Sequence, residues 1–142
     1  MFPHINKLTE LTQHPDAHVL ERHGHDVIDE ALIKRATTGI APDGFIISRG
    51  AKGSYKPPYS SKFESPQQVR QALTNTRPNT PAFNSAPITN GRKVVVHELA
   101  NGATYGKGVQ RDGNTFLQST KVRAVYENKN GSLQLITMYP DF

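Results

Sequence analysis

A chain of 142 residues fits one domain and hardly two. No apolar run approaches the ~20 residues of a membrane helix, so a membrane-spanning protein is not expected, and with no Cys disulfide scaffolds, thiolate metal sites and cysteine nucleophiles drop out together. Lys and Arg number 17 against 12 Asp and Glu, a net charge of +5, which suits a polyanion partner or a merely solubilising surface.

Met1-Phe2-Pro3-His4 opens the chain without a basic segment followed by an apolar one, so no signal peptide is expected. His14-Pro15-Asp16 offers a helix start, and Ala17 to His23 make two turns that Gly24 stops. A second helix follows. Asp26 can cap it, and Ile28, Ala31, Leu32 and Ala36 form one apolar stripe. Lys34 and Arg35 sit in the last turn, where the helix dipole favours cations, and Gly39 closes it. Ala41-Pro42-Asp43-Gly44 is a turn and Phe45-Ile46-Ile47 a short strand. Residues 50–62 are rich in Gly, Pro, Ser and Tyr and read as a loop. Ser65-Pro66-Gln67-Gln68 starts a third helix, with Ser at the cap and Pro at the first position. Residues 76–91 read as loose.

The period then changes to two. Residues 93–99 form a strand, Asn101-Gly102 a hairpin turn, and residues 103–110 the return strand. A turn at Arg111–Asn114, a strand over 121–127, a turn at Asn128–Gly131 and a final strand over 133–139 complete an antiparallel meander. Helices first and strands last predict an α+β fold: N-terminal helices packed on a C-terminal twisted antiparallel sheet. The whole chain, 1–142, is expected to be one domain, with a helical lobe at about 12–75 and the sheet at about 92–140.

Charge is uneven. Residues 1–75 hold nine basic and eight acidic side chains, and residues 76–142 hold eight and four. Arg92, Lys93, Lys107, Arg111, Lys121 and Arg123 all lie on or beside the meander. If they share one face, that face binds phosphates.

Six histidines occur, three of them in His18-Val-Leu-Glu-Arg-His23-Gly-His25. Histidine exchanges protons near neutrality. His18 and His23 are five apart and share a helix face poorly. His23, just before Gly24, can reach into a cleft. Arg22, Arg35 and Lys62 are candidate phosphate partners, and Ser60-Ser61 can donate hydrogen bonds to phosphate. Alternation puts Thr137 and Tyr139 on one face of the last strand and Met138 on the other. The plain alternative for each is an ordinary capping, surface or edge-strand residue. No carboxylate follows the histidines at a recognised zinc or nuclease spacing, so no metal and no cofactor is expected.

The blocks ERHGHDVIDEALIKRATTGIAPDG, SSKFES, VVHELANGATYGKGV and VRAVYENKNGSLQLITMYP, in this order, resemble bacterial polymorphic-toxin nuclease domains. These are the C-terminal cargoes of contact-dependent growth inhibition systems, here nearest the barnase/EndoU/colicin/RelE ribonucleases, including the RNase A-like branch. The resemblance covers about residues 12–140. It implies a toxin delivered into the target-cell cytoplasm as the cargo of a larger effector, and endoribonuclease activity without metal, usually on tRNA. It also implies a cognate immunity protein, expected to be acidic, and leaves room for a host activator protein; a monomer is expected. Family roles fall on His23, Arg35, Thr137 and Tyr139, while His18 stands where the RNase A-like branch has its leading histidine. The choice between His18 and His23 stays open at this point. Arg22, Ser61, Lys62, Lys107, Lys121 and Arg123 are the expected RNA contacts. Two rivals remain: a basic binding module without catalysis, and a metal-dependent DNase using His18, His23 and His25.

Overall fold

The computed structural model describes residues 19–45, 47, 57–129 and 131–142. The expected strand at residues 45–47 has no strand assignment at Phe45 or Ile47, and Ile46 lies outside the described residues. The fold is α+β. Helices α1 (Val19–His23) and α2 (Asp29–Thr38) precede strand β1 (Tyr59–Phe63) and helices α3 (Pro66–Thr76) and α4 (Pro81–Ser85). Strands β2 (Ile88–Thr89), β3 (Arg92–Glu98), β4 (Gly106–Gln110), β5 (Phe116–Ser119), β6 (Lys121–Lys129) and β7 (Ser132–Asp141) follow.

Local chemistry explains most of these elements. Gly39 ends α2 at φ 77°, donating its N–H to the Arg35 carbonyl, a left-handed cap that a side chain resists. The cap of α2 is Ile28 and not Asp26; Ile28 is exposed and leaves the expected stripe, while Leu32 and Ala36 are fully buried and Ala31 packs partly buried against them. Ser65 caps α3 by accepting from the Gln68 N–H, with Pro66 at the first turn as expected.

The strands do not make one meander. They form two antiparallel sheets, ordered β1-β4-β5 and β2-β3-β6-β7. Asn101-Gly102 still turns the chain, but β3 and β4 go to different sheets. β3 pairs with β6, and β4 pairs with β1 and β5. The Ser-rich segment read as loop supplies β1, whose partner lies more than forty residues on, at Gly106–Gln110. Local composition carries no trace of such a pairing.

α3 packs its Val69, Ala72 and Leu73 against the inner face of the larger sheet, where Val95, Val122, Ala124, Tyr126, Leu135 and Met138 are buried. Phe63 of β1 and Tyr105, just before β4, join this core. Val27, Leu32, Ala36 and Val109 make a second cluster under α2. The outer face of the larger sheet meets α1 at its β7 edge, where the His23 and Tyr139 rings adjoin, and is open to solvent at Val94 and Val96 of β3.

Gly106 fixes how β1 meets β4. A Cβ built there would lie 2.1 Å from the Lys62 carbonyl oxygen and 2.8 Å from Pro140 Cγ. Gly106→Ala is therefore expected to destabilise the fold by about 3 kcal/mol. In a thermal melt that is a drop of about 10 °C; an unchanged melt would mean that β1 shifts without strain.

Candidate functional site

A cleft of about 530 Å³ opens between the N-terminal helices and the outer face of the larger sheet. α1 contributes Arg22 and His23, α2 contributes Arg35, and β1 contributes Tyr59 and Ser61. Ile136, Thr137, Tyr139 and Asp141 of β7 face them, with Arg92 and Arg123 from the neighbouring strands. The alternation read from the sequence holds here: Met138 is fully buried while Thr137 and Tyr139 line the cleft. A register shift between Val125 and Tyr126 marks a bulge in the β6–β7 pair. It leaves Ile136 without a partner in the register and adds its side chain to the cleft wall.

His23 and Arg35 share one backbone acceptor. His23 Nδ1 lies 3.0 Å from the Ser61 carbonyl oxygen. A carbonyl only accepts, so Nδ1 carries the proton and Nε2 keeps its lone pair. Arg35 Nη2 donates to the same oxygen at 2.6 Å, Nη1 to the Arg22 carbonyl at 2.7 Å, and Nε to Ser60 Oγ at 2.7 Å. Three of five guanidinium N–H groups are used, so one remains on each Nη. Arg35 is buried, and among the described residues no carboxylate lies within ion-pair distance of it. Burial, with the neighbouring Arg22 charge, pulls its pKa down to about 10, against the pull of Asp43. A buried cation without a carboxylate is a standing demand for an anion.

The same environment keeps His23 neutral. Burial first, then the Arg35 charge, hold its pKa well below the usual histidine value of 6.5; Arg22 lowers it too, and the Ser61 carbonyl opposes them. The His23 ring stands 5.0 Å from the Tyr139 ring, tilted by 32°. Burial raises the Tyr139 phenol above its ordinary value, with Arg123 opposing and Asp141 assisting. The phenol therefore stays protonated.

The lowered His23 pKa makes stability depend on pH. The unfolded histidine takes its proton near pH 6.5, and the folded one only well below. Between those points the unfolded chain binds more protons, so the contribution is complete above about pH 6.5 and is lost as pH falls, by at most about 1.4 kcal/mol per unit. Denaturant titrations at pH 7.5 and 5.5 should show a larger loss for the wild type than for His23→Asn. Equal losses would place the His23 titration elsewhere.

The expected RNA contacts divide. Arg22 lines the cleft, pairs with Asp43 at 3.0 Å and lies 4.3 Å over the Phe45 ring. Arg123 lines it too, its Nε 2.8 Å from Asp141 Oδ2. Ser61 is present through its carbonyl rather than the hydroxyl expected to meet phosphate. Lys62 is engaged elsewhere: its ammonium donates to the carbonyls of His25 and Val27 and ties that loop to β1. Lys107 belongs to the smaller sheet, 2.9 Å from Asp29 and over the Phe116 ring. Lys121 lies on the larger sheet opposite Glu98 and Asp141 and outside the cleft lining. The six cations near the strands thus do not share one face, since Lys93 turns inward to the Phe83 carbonyl and Arg111 reaches the Pro57 carbonyl. His18 lies outside the described residues. His25 pairs with Asp26 at 3.2 Å, and among the described residues no three metal-ligating side chains gather.

Sequence reading missed the acidic member of the cleft, Asp141, which follows Tyr139 by two and shares its face, and Asp43, which sits in a turn and pairs with Arg22.

No family model matches this sequence, and no curated protein matches it. In fold it is similar to a chain of the CdiA-CT/CdiI complex from Y. kristensenii 33638, with a TM-score of 0.58. The two share 15% sequence identity, over 89% of this chain and 100% of that one. At that identity the likeness shows a common fold.

Proposed function

We propose that this chain is an antibacterial toxin of the contact-dependent growth inhibition kind, and that it is an endoribonuclease. The observation that carries the reading is the shared Ser61 carbonyl: one acceptor aligns a neutral His23 and a buried Arg35 that is ion-paired to no described carboxylate. The likeness to a chain of the CdiA-CT/CdiI complex and the sequence resemblance support the toxin part.

RNA brings its own nucleophile. His23 Nε2 takes the proton of a 2′-hydroxyl, and the oxygen attacks the adjacent phosphorus. The two remaining Arg35 N–H groups, with the Thr137 hydroxyl, hold the phosphoryl oxygens as charge grows on them. Among the described residues neither Thr137 nor Tyr139 has a hydrogen-bond partner for its hydroxyl, so both are available. Tyr139, kept protonated by burial, gives its proton to the departing 5′-oxygen. The products are a 2′,3′-cyclic phosphate and a 5′-hydroxyl. The substrate class we favour is tRNA, the partner an acidic immunity protein, and the site of action the cytoplasm of a target cell.

The test is incubation with total bacterial tRNA in EDTA, read on a denaturing gel with end-group analysis. Discrete fragments ending in cyclic phosphate support the reading. Cleavage of an all-2′-deoxy strand, or cleavage abolished by EDTA, would replace it with a metal-dependent nuclease. Binding without cleavage would leave a basic binding module.

A further inference from the structure

The outer face of the larger sheet continues the cleft as a grid. Register places Thr137, Val125 and Val94 in one row and Tyr139, Arg123 and Val96 in the next. Arg92 faces Glu127 at one end, and Glu98 faces Lys121 at the other. Val94 and Val96 are 37% and 42% exposed, and Val125, between Val94 and Thr137, is half-buried. On the opposite face of the same strands Val95, Val122 and Ala124 are fully buried. A sheet face turned to water ordinarily alternates to polar side chains. Here its centre is aliphatic, one to two strand spacings, about 5–10 Å, from the Thr137 and Tyr139 hydroxyl row.

Cations bracket this centre. Arg92 and Arg123 both line the cleft; Arg92 stands two residues before Val94 on the same strand, and Arg123 is the register partner of Val96. Arg123 meets Asp141 through Nε, and no other described residue holds its two Nη groups. Arg92 is half-exposed beside Glu127 at 3.4 Å. An apolar surface between two guanidinium groups matches one nucleoside with a phosphate on either side.

We infer that Val94, Val96 and Val125 receive an unpaired nucleobase next to the scissile phosphate, with Arg92 and Arg123 on the flanking phosphates. The inference rests on the ribonuclease reading and adds to it the form of the substrate. A base in a duplex is stacked and cannot lie on a sheet face, so the protein takes single-stranded segments or loops. Continuity with the cleft and cations at its edges favour this occupant over a partner protein.

The experiment uses the full chain and a labelled 2′-deoxy hexanucleotide, which binds without supplying a nucleophile. Fluorescence anisotropy compares the intact strand, a series with one abasic residue at each position, and the same strand in a duplex. One abasic position should weaken wild-type binding by about tenfold, the effect of roughly 55 Å² of apolar surface no longer buried, and the duplex should bind at least as poorly. In V94S/V96S that abasic penalty should vanish while the melting temperature stays near wild type. A flat abasic series in the wild type, a penalty that survives V94S/V96S, or equal binding of the duplex would overturn the inference. Loss in V94S/V96S of binding to an acidic partner protein, with the oligonucleotide unaffected, would reassign the face to that partner. The two readings separate in a cleavage assay. If no RNA is cut, the ribonuclease reading fails while the abasic pattern still reports the subsite. If RNA is cut and V94S/V96S cleaves a tetranucleotide as well as wild type does, the subsite alone falls.

Discussion

Replacing His23 with alanine should slow RNA cleavage by about 10²–10⁴-fold while RNA is still bound. The loss is that of a proton acceptor, because Nδ1 is committed to the Ser61 carbonyl and only Nε2 can take the 2′-hydroxyl proton. Binding should persist, since the charge of Arg22, Arg35, Arg92 and Arg123 is untouched. The pH profile should change as well. Burial and Arg35 hold His23 well below the usual histidine value. The acid limb of kcat/KM should therefore fall below pH 6.5, not at it, and should disappear from whatever activity the variant retains. Full cleavage by His23→Ala would move the base to another group, with His18 the first to replace next.

Arg35→Met should cut cleavage by about 10²–10³-fold without weakening the fold to match. Two effects oppose each other in stability. Removing the guanidinium strips donors from Ser60 Oγ and from the Arg22 and Ser61 carbonyls; His23 still serves the Ser61 carbonyl, and the two acceptors left unmet cost about 1–3 kcal/mol each. It also removes a charge that burial opposes: a pKa of about 10 against 12.5 corresponds to roughly 3 kcal/mol. The terms are of similar size, so the variant should melt near the wild type although its activity is nearly gone. Arg35→Lys keeps the charge but has three N–H donors in place of five, so meeting the same three acceptors leaves none for the phosphoryl oxygens, and it should recover little. A large fall in melting temperature for Arg35→Met would make Arg35 a structural residue and its part in catalysis secondary.

Much of this site was legible because it sits on regular elements. Strand alternation alone put Thr137 and Tyr139 together with Met138 behind them, and helix punctuation at Gly24 put His23 at an end. Arg35 in a last turn looked like a cation answering a helix dipole; its burial depends on β1, which the sequence hides. Tyr59–Phe63 lies in a Ser- and Pro-rich stretch, pairs only with a distant strand, and shows no alternating apolar pattern. With β1 unseen, Ser61 could only be weighed by its hydroxyl, and Lys62 only by its charge. The division into two sheets was hidden for a related reason. Asn101-Gly102 has the chemistry of a tight hairpin, and only long-range packing separates the strands on its two sides. The cations on the strands were counted correctly but their facing was not, because charge says nothing of the contacts that turn Lys93 and Lys107 away.

The double duty of the Ser61 carbonyl makes the two groups it holds one genetic unit. With base and anion holder seated on the same oxygen, losing either disables the same step. An H23A/R35M protein should therefore be scarcely slower than the slower single variant. Once one of the two is gone, selection has nothing left to guard in the other. Among decayed copies of such a gene, His23 and Arg35 are expected to vanish as a pair, while the glycine at 106 outlasts both for as long as the chain still folds.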